Sequence, residues 1–159
     1  MAKLCLGYSV FSIFCLAGSV FGISDTLYME ITTETDDVKF SDSNDCKVSV
    51  YLNDNIAGKV YLDNPGVDDF KLGATDVFSK LKASVPLQEI EKITFLVEGG
   101  GDAWRLKRFS IQFFQGDKKT DLISFPANIS FSKEKSDRAC KQKAVFSVRP
   151  TQKQLLMLK

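Results

Sequence analysis

Between Asp63 and Phe113 the chain reads DNPGVDDFKLGATDVFSKLKASVPLQEIEKITFLVEGGGDAWRLKRFSIQF, and this third of the sequence dictates short strands. Alternation of apolar and polar residues over four to eight positions marks a strand with one face buried. In WRLKRFSIQF the apolar set runs Trp104, Leu106, then slips by one to Phe109, Ile111 and Phe113. A slip of one residue reverses every side chain, so a β-bulge is expected at that point. EKITFLV is a second amphipathic strand, and it runs into the turn Gly99–Gly101. Pro65-Gly66 punctuates the acidic turn that opens the segment. The segment holds no catalytic grouping and reads as sandwich strands carrying charged loops, which favours binding over chemistry.

The same texture continues on both sides. TLYMEITTET alternates at Leu27, Met29 and Ile31. CKVSVYLND places Cys46, Val48, Val50 and Leu52 on one face, and NDNIAG followed by KVYL suggests a hairpin. DVFSKLKASV suits a strand or a short helix equally, since its periodicity does not decide. DLISFPANISFS reads as one or two strands broken at Pro126, and KAVFSVRP as the last strand. About seven or eight strands at roughly ten-residue spacing predict an all-β antiparallel sandwich.

Residues 1–22 differ in kind. Lys3 precedes the apolar run LCLGYSVFSIFCLAGSVFG, which ends in small residues. That is the pattern of a cleaved secretory signal, with residues 23–150 as one domain and 151–159 as a basic, apolar tail. Secretion would leave Cys46 and Cys140, for which a disulfide or two buried thiols are the alternatives. Asn128-Ile129-Ser130 would then be an N-glycosylation acceptor.

The near-neutral total charge hides an asymmetry. Residues 23–102 carry 16 acidic and 7 basic side chains, whereas residues 103–159 carry 4 and 13. Either the fold separates an acidic from a basic end, or interleaved strands neutralise each other. A neutral secreted domain is not expected to bind nucleic acid. The sequence contains no histidine. Imidazole-based nucleophilic catalysis and His-ligated metal centres are therefore excluded. Paired carboxylates leave glycosidase chemistry formally open, but acids in turns are ordinarily solvated, and the expectation is no enzyme.

Phe70, Gly73, Asp76, Phe78, Leu87, Ile93, Gly99–Gly101, Trp104 and Ile111 follow one another in an order that resembles the PLAT/LH2 domain of lipoxygenases and alpha-toxin. Upstream, DCKVSVYLND is similar to that family's early strand. Asn44-Asp45 stands where the family has a Thr-Asp pair, and Asn53-Asp54 where it has a glycine. The resemblance implies a sandwich of two four-stranded sheets. It also implies a non-catalytic module that attaches to membrane lipid or to a protein partner, sometimes with calcium in its loops. Here the module would stand by itself, as a monomer. The alternative is a secreted protein-interaction effector with no lipid contact.

Three sets of candidate residues follow. Calcium takes six to eight oxygens from loop carboxylates and carbonyls, which Asp36, Asp37, Asp42 and Asp45, then Asp63, Asp68 and Asp69, and finally Asp102 offer. The competing reading is local turn chemistry. Trp104 is either an interfacial anchor or a core residue, and its alternation with Leu106 favours the core. Arg105, Lys107 and Arg108, with Lys118 and Lys119, would meet anionic headgroups or sulfated glycans unless they form an ordinary solvated face.

Overall fold

The computed structural model describes residues 26–37, 47–99, 103–132 and 141–151. The signal segment, Asp42, Asp45, Cys46, Asp102, Cys140 and residues 152–159 lie outside them. Nine strands form in chain order: β1 (Leu27–Thr35), β2 (Lys47–Leu52), β3 (Val60–Tyr61), β4 (Thr75–Lys82), β5 (Lys92–Gly99), β6 (Trp104–Gln115), β7 (Lys118–Lys119), β8 (Ile123–Phe131) and β9 (Lys143–Ser147). They make two antiparallel sheets. One runs β4-β1-β6, with β7 and β8 both paired to β6; the other runs β3-β2-β5-β9. β7 opposes Phe114–Gln115 and β8 opposes Trp104–Ile111, so the two occupy successive lengths of one edge of β6. Each sheet is thus four ranks deep, the sandwich that the alternation predicts.

The core is filled by the inward set of each strand. Ile31, Phe78, Trp104, Phe109 and Phe113 come from the first sheet, and Val48, Val50, Ile93, Phe95 and Val97 from the second. Phe95 and Phe109 meet edge to face across the interface, with ring centroids 4.8 Å apart, an arrangement that matches the ring quadrupoles. The expected bulge is present. Against β1 the ladder sets Glu34 opposite Arg108 and Thr35 opposite Leu106, so Lys107 is the extra residue, and Phe109, Ile111 and Phe113 return to the core.

Two ambiguous segments resolve for physical reasons. DVFSKLKASV supplies a strand, because a second bulge shifts the β1–β4 register between Met29 and Ile31. Lys80 is left in the left-handed region, with φ of 57°. Phe78 and Leu81 therefore both turn toward the core although three apart, a spacing that imitates a helix. Pro126 does not break β8 as its sequence suggests. It pairs with Arg108 beside a register shift in which β8 carries the extra residue, and β8 is an edge strand, where proline is tolerated.

The strands of the acidic and basic halves interleave, which decides the charge question. β1 lies between β4 and β6, and β5 between β2 and β9. Asp36 consequently pairs with Arg105 at 3.0 Å, and Glu34 holds both Lys107 and Arg108 at 2.8 Å.

Candidate functional site

The loop joining β3 to β4, residues 62–74, is built from two consecutive turns. In Asn64-Pro65-Gly66-Val67 the Val67 N–H donates to Asn64 O at 2.9 Å. Gly66 sits at φ of 79°, the left-handed value that the third position of a type II turn requires. In Lys71-Leu72-Gly73-Ala74 the Ala74 N–H donates to Lys71 O at 2.9 Å, and Gly73 has φ of 65°. Each turn leaves an aliphatic side chain in solvent: Val67 is 61% exposed and Leu72 49%.

The base of this loop is fixed from below. Both Asp69 oxygens accept from Asn64, from its backbone N–H at 2.8 Å and its side-chain amide at 2.7 Å. Phe70 adopts φ of 63°, which costs a bulky residue on the order of 1–2 kcal/mol. Its burial offsets that cost. The ring lies 4.7 Å from that of Trp104 and 5.6 Å from that of Phe78, and its N–H donates to the buried Asp76 carboxylate at 2.9 Å. Burial pushes the Asp76 carboxyl above its ordinary range, and Asp69 and Asp68 push it further, against the Phe70 hydrogen bond. The Gly73 N–H donates to Asp36 O at 3.2 Å and the Thr35 N–H to Ala74 O at 2.9 Å, so the second turn is tied to the end of β1.

Trp104 is therefore not a lipid contact. It is 0% exposed, between Phe70 and a stacked Phe131. The sequence signal for this was the alternation with Leu106. The basic set does not form one patch either. Arg105, Lys107 and Arg108 lie at the start of β6, whereas Lys118 and Lys119 oppose Phe114 and Gln115 at its far end. Gln115 lies seven steps along the strand from Arg108, roughly 23 Å. The hairpin after Gln115 carries the two lysines away from the loop end.

The acids group only partly. Asp36, Asp37, Asp68 and Asp69 share this end, but Asp36, Asp68 and Asp69 have oxygens engaged elsewhere. Asp36 accepts from the Asp37 N–H and pairs with Arg105, Asp68 pairs with Lys71, and Asp69 is used by Asn64. Among the described residues no three acidic side chains converge as metal ligands do. The described acids do not fit the oxygen shell that calcium takes. Asn128 is exposed on the edge strand β8, at φ of 50°. Sequence reasoning missed Val67 and Leu72, because neither lies in a periodic run.

The sandwich has counterparts of known structure. Coral 8R-lipoxygenase, described as activated by calcium through a C2-like domain, aligns over 76% of this chain at 18% identity with a TM-score of 0.55. The fold is that of a PLAT/LH2 domain. A LOX variant solved with arachidonate aligns over 77% of the chain at 17% identity and a TM-score of 0.54. Alpha toxin from Clostridium absonum aligns over 77% at 18% identity and 0.51. The PLAT sandwich described here spans only 17%, 16% and 32% of those three chains. No protein-family model matches the sequence, and no curated protein matches it.

Proposed function

We propose that this chain is a secreted, non-catalytic attachment module that docks on lipid surfaces through the loop of residues 62–74. The observation that carries the reading is the pair Val67 and Leu72, both held in solvent on a loop whose base is bolted to the core. A loop fixed before contact loses little entropy on docking. Burying what the two side chains still expose contributes on the order of 2 kcal/mol. Exposed Lys71, between them in sequence and paired with Asp68, adds at most about 1 kcal/mol where the leaflet carries anionic lipid. That total describes reversible attachment. The calcium activation described for the coral enzyme supports a regulated version, for which the acids outside the described residues would have to supply the oxygens.

Co-sedimentation with phosphatidylcholine vesicles tests the proposal. Val67→Asp with Leu72→Asp should abolish sedimentation and leave Tm unchanged, since both side chains are exposed. Sedimentation equal to that of the parent chain would refute the loop as the contact. A calcium arm separates the two versions: binding that rises with calcium requires a metal at this end, and unchanged binding assigns attachment to the loop.

A further inference from the structure

The outer face of the first sheet carries a second feature, at the opposite end of β6 from the charged bulge. Antiparallel register sets Lys82 opposite Tyr28, Tyr28 opposite Phe114, and Phe114 opposite Lys119. Directly opposed residues point to the same side of a sheet. The four therefore form one row across β4, β1, β6 and β7, two aromatic rings with a lysine at each end. Three inter-strand steps separate the lysines, roughly 14 Å. Tyr28 is 41% exposed although it sits on an inner strand. Together with Glu30, Ser79, Lys80 and Phe114 it lines a groove of about 570 Å3.

Lys80 is the second observation. It occupies the bulge position of β4 at φ of 57°, where glycine is the unstrained choice. A lysine there costs backbone energy and places a cation on the groove. The one carboxylate lining it, Glu30, accepts the Ser79 hydroxyl at 2.6 Å. None of Lys80, Lys82 and Lys119 is ion-paired with a carboxylate among the described residues.

We infer that this groove binds an extended sulfated sugar chain. The apolar C–H face of a pyranose packs on the Tyr28 and Phe114 rings, and sulfates meet the lysines along the rim. The shape argues against a bilayer. A flat surface touches rim lysines and leaves the aromatic floor uncovered, whereas a linear polyanion laid across the sheet reaches both.

Heparin and dextran sulfate, with unsulfated dextran as control, are the probes, using the whole chain. The parent chain should bind both sulfated polymers and not dextran. Lys82→Glu with Lys119→Glu should weaken heparin binding at least ten-fold and flatten its salt dependence. Tyr28→Ser should weaken binding with the salt dependence kept, because it removes stacking and no charge. Lys80→Gly is the decisive variant: relief of the backbone strain should hold or raise Tm while affinity falls. Equal binding to dextran and dextran sulfate overturns the inference, as does parent-level heparin binding by the double charge reversal. So does a chain that ignores heparin yet loses phosphatidylserine vesicles on the same substitutions. The Val67 and Leu72 substitutions should leave heparin binding intact, which separates this site from the loop.

Discussion

The indole N–H of Trp104 donates to the hydroxyl of Thr35 at 3.0 Å, with both residues buried. This bond links the first residue of β6 to the last of β1, directly beneath the loop that Phe70 anchors. Thr35→Val keeps the shape and removes the acceptor. It should cost about 1–3 kcal/mol, the cost of leaving a buried donor unpaired, and Thr35→Ser should restore most of it. Trp104→Ala should cost about 3–5 kcal/mol through the cavity it opens. Urea denaturation measures both, and a Thr35→Val chain as stable as the parent would show that the bond contributes nothing net.

Asp76 gives a pH signature. Its pKa is raised in the folded chain, first by burial. Protonation therefore stabilises the fold. That contribution is complete below the ordinary value of 3.8 and is lost as pH rises through the raised value. Asp76→Asn keeps an acceptor for the Phe70 N–H and carries no charge. It should raise Tm at neutral pH, and the gain should vanish as pH falls below 3.8. Asp76→Ala strands the Phe70 N–H and should cost about 1–3 kcal/mol at every pH. Calorimetry across that range checks the pattern.

The legible part of this fold was the period. Leu27, Met29 and Ile31 announced β1, and the slip from Leu106 to Phe109 announced a bulge that the β1–β6 ladder places at Lys107. Trp104 was legible as core for the same reason. The β4 bulge was not, because one left-handed residue at Lys80 gives its strand a helix-like spacing. The loop was only half legible. Pro65-Gly66 and Gly73 mark its turns, but nothing local says that Phe70 turns inward while Val67 and Leu72 turn outward. Tertiary contact with Trp104 decides that. The Lys82–Tyr28–Phe114–Lys119 row was invisible, since it exists only once strands far apart in sequence fall into register.

Glu34 holds Lys107 and Arg108 together because the bulge of β6 against β1 turns two successive side chains toward one carboxylate. Its hydrogen bond raises the Lys107 pKa, so the pair's contribution is in place below the ordinary value of 10.5 and is lost as pH rises through the raised value. Glu34→Gln should lower Tm slightly at neutral pH and low salt. The difference should shrink in about 1 M salt, where screening acts within roughly 3 Å. A drop that persists at high salt would mean that Glu34 acts through packing instead.

The described neighbours of Cys46 and Cys140 bear on whether the two cysteines join. Lys47 opposes Gly99 on one side of β5, and the Val97 N–H donates to the Gln142 carbonyl on the other. β2 and β9 thus start at the same end of the sheet, two strand spacings apart, roughly 10 Å. A disulfide needs Cα atoms within about 7 Å, so a bond requires the two cysteines to lie closer together than β2 and β9 do across β5. The expected result is a bonded pair, with no free thiol detected in the unfolded, unreduced chain from which residues 1–22 have been removed. Reduction should then cost about 4–5 kcal/mol, the chain entropy of so long a loop. Two titratable thiols in that sample, or a Tm indifferent to reductant, would mean that the sheet holds the cysteines apart.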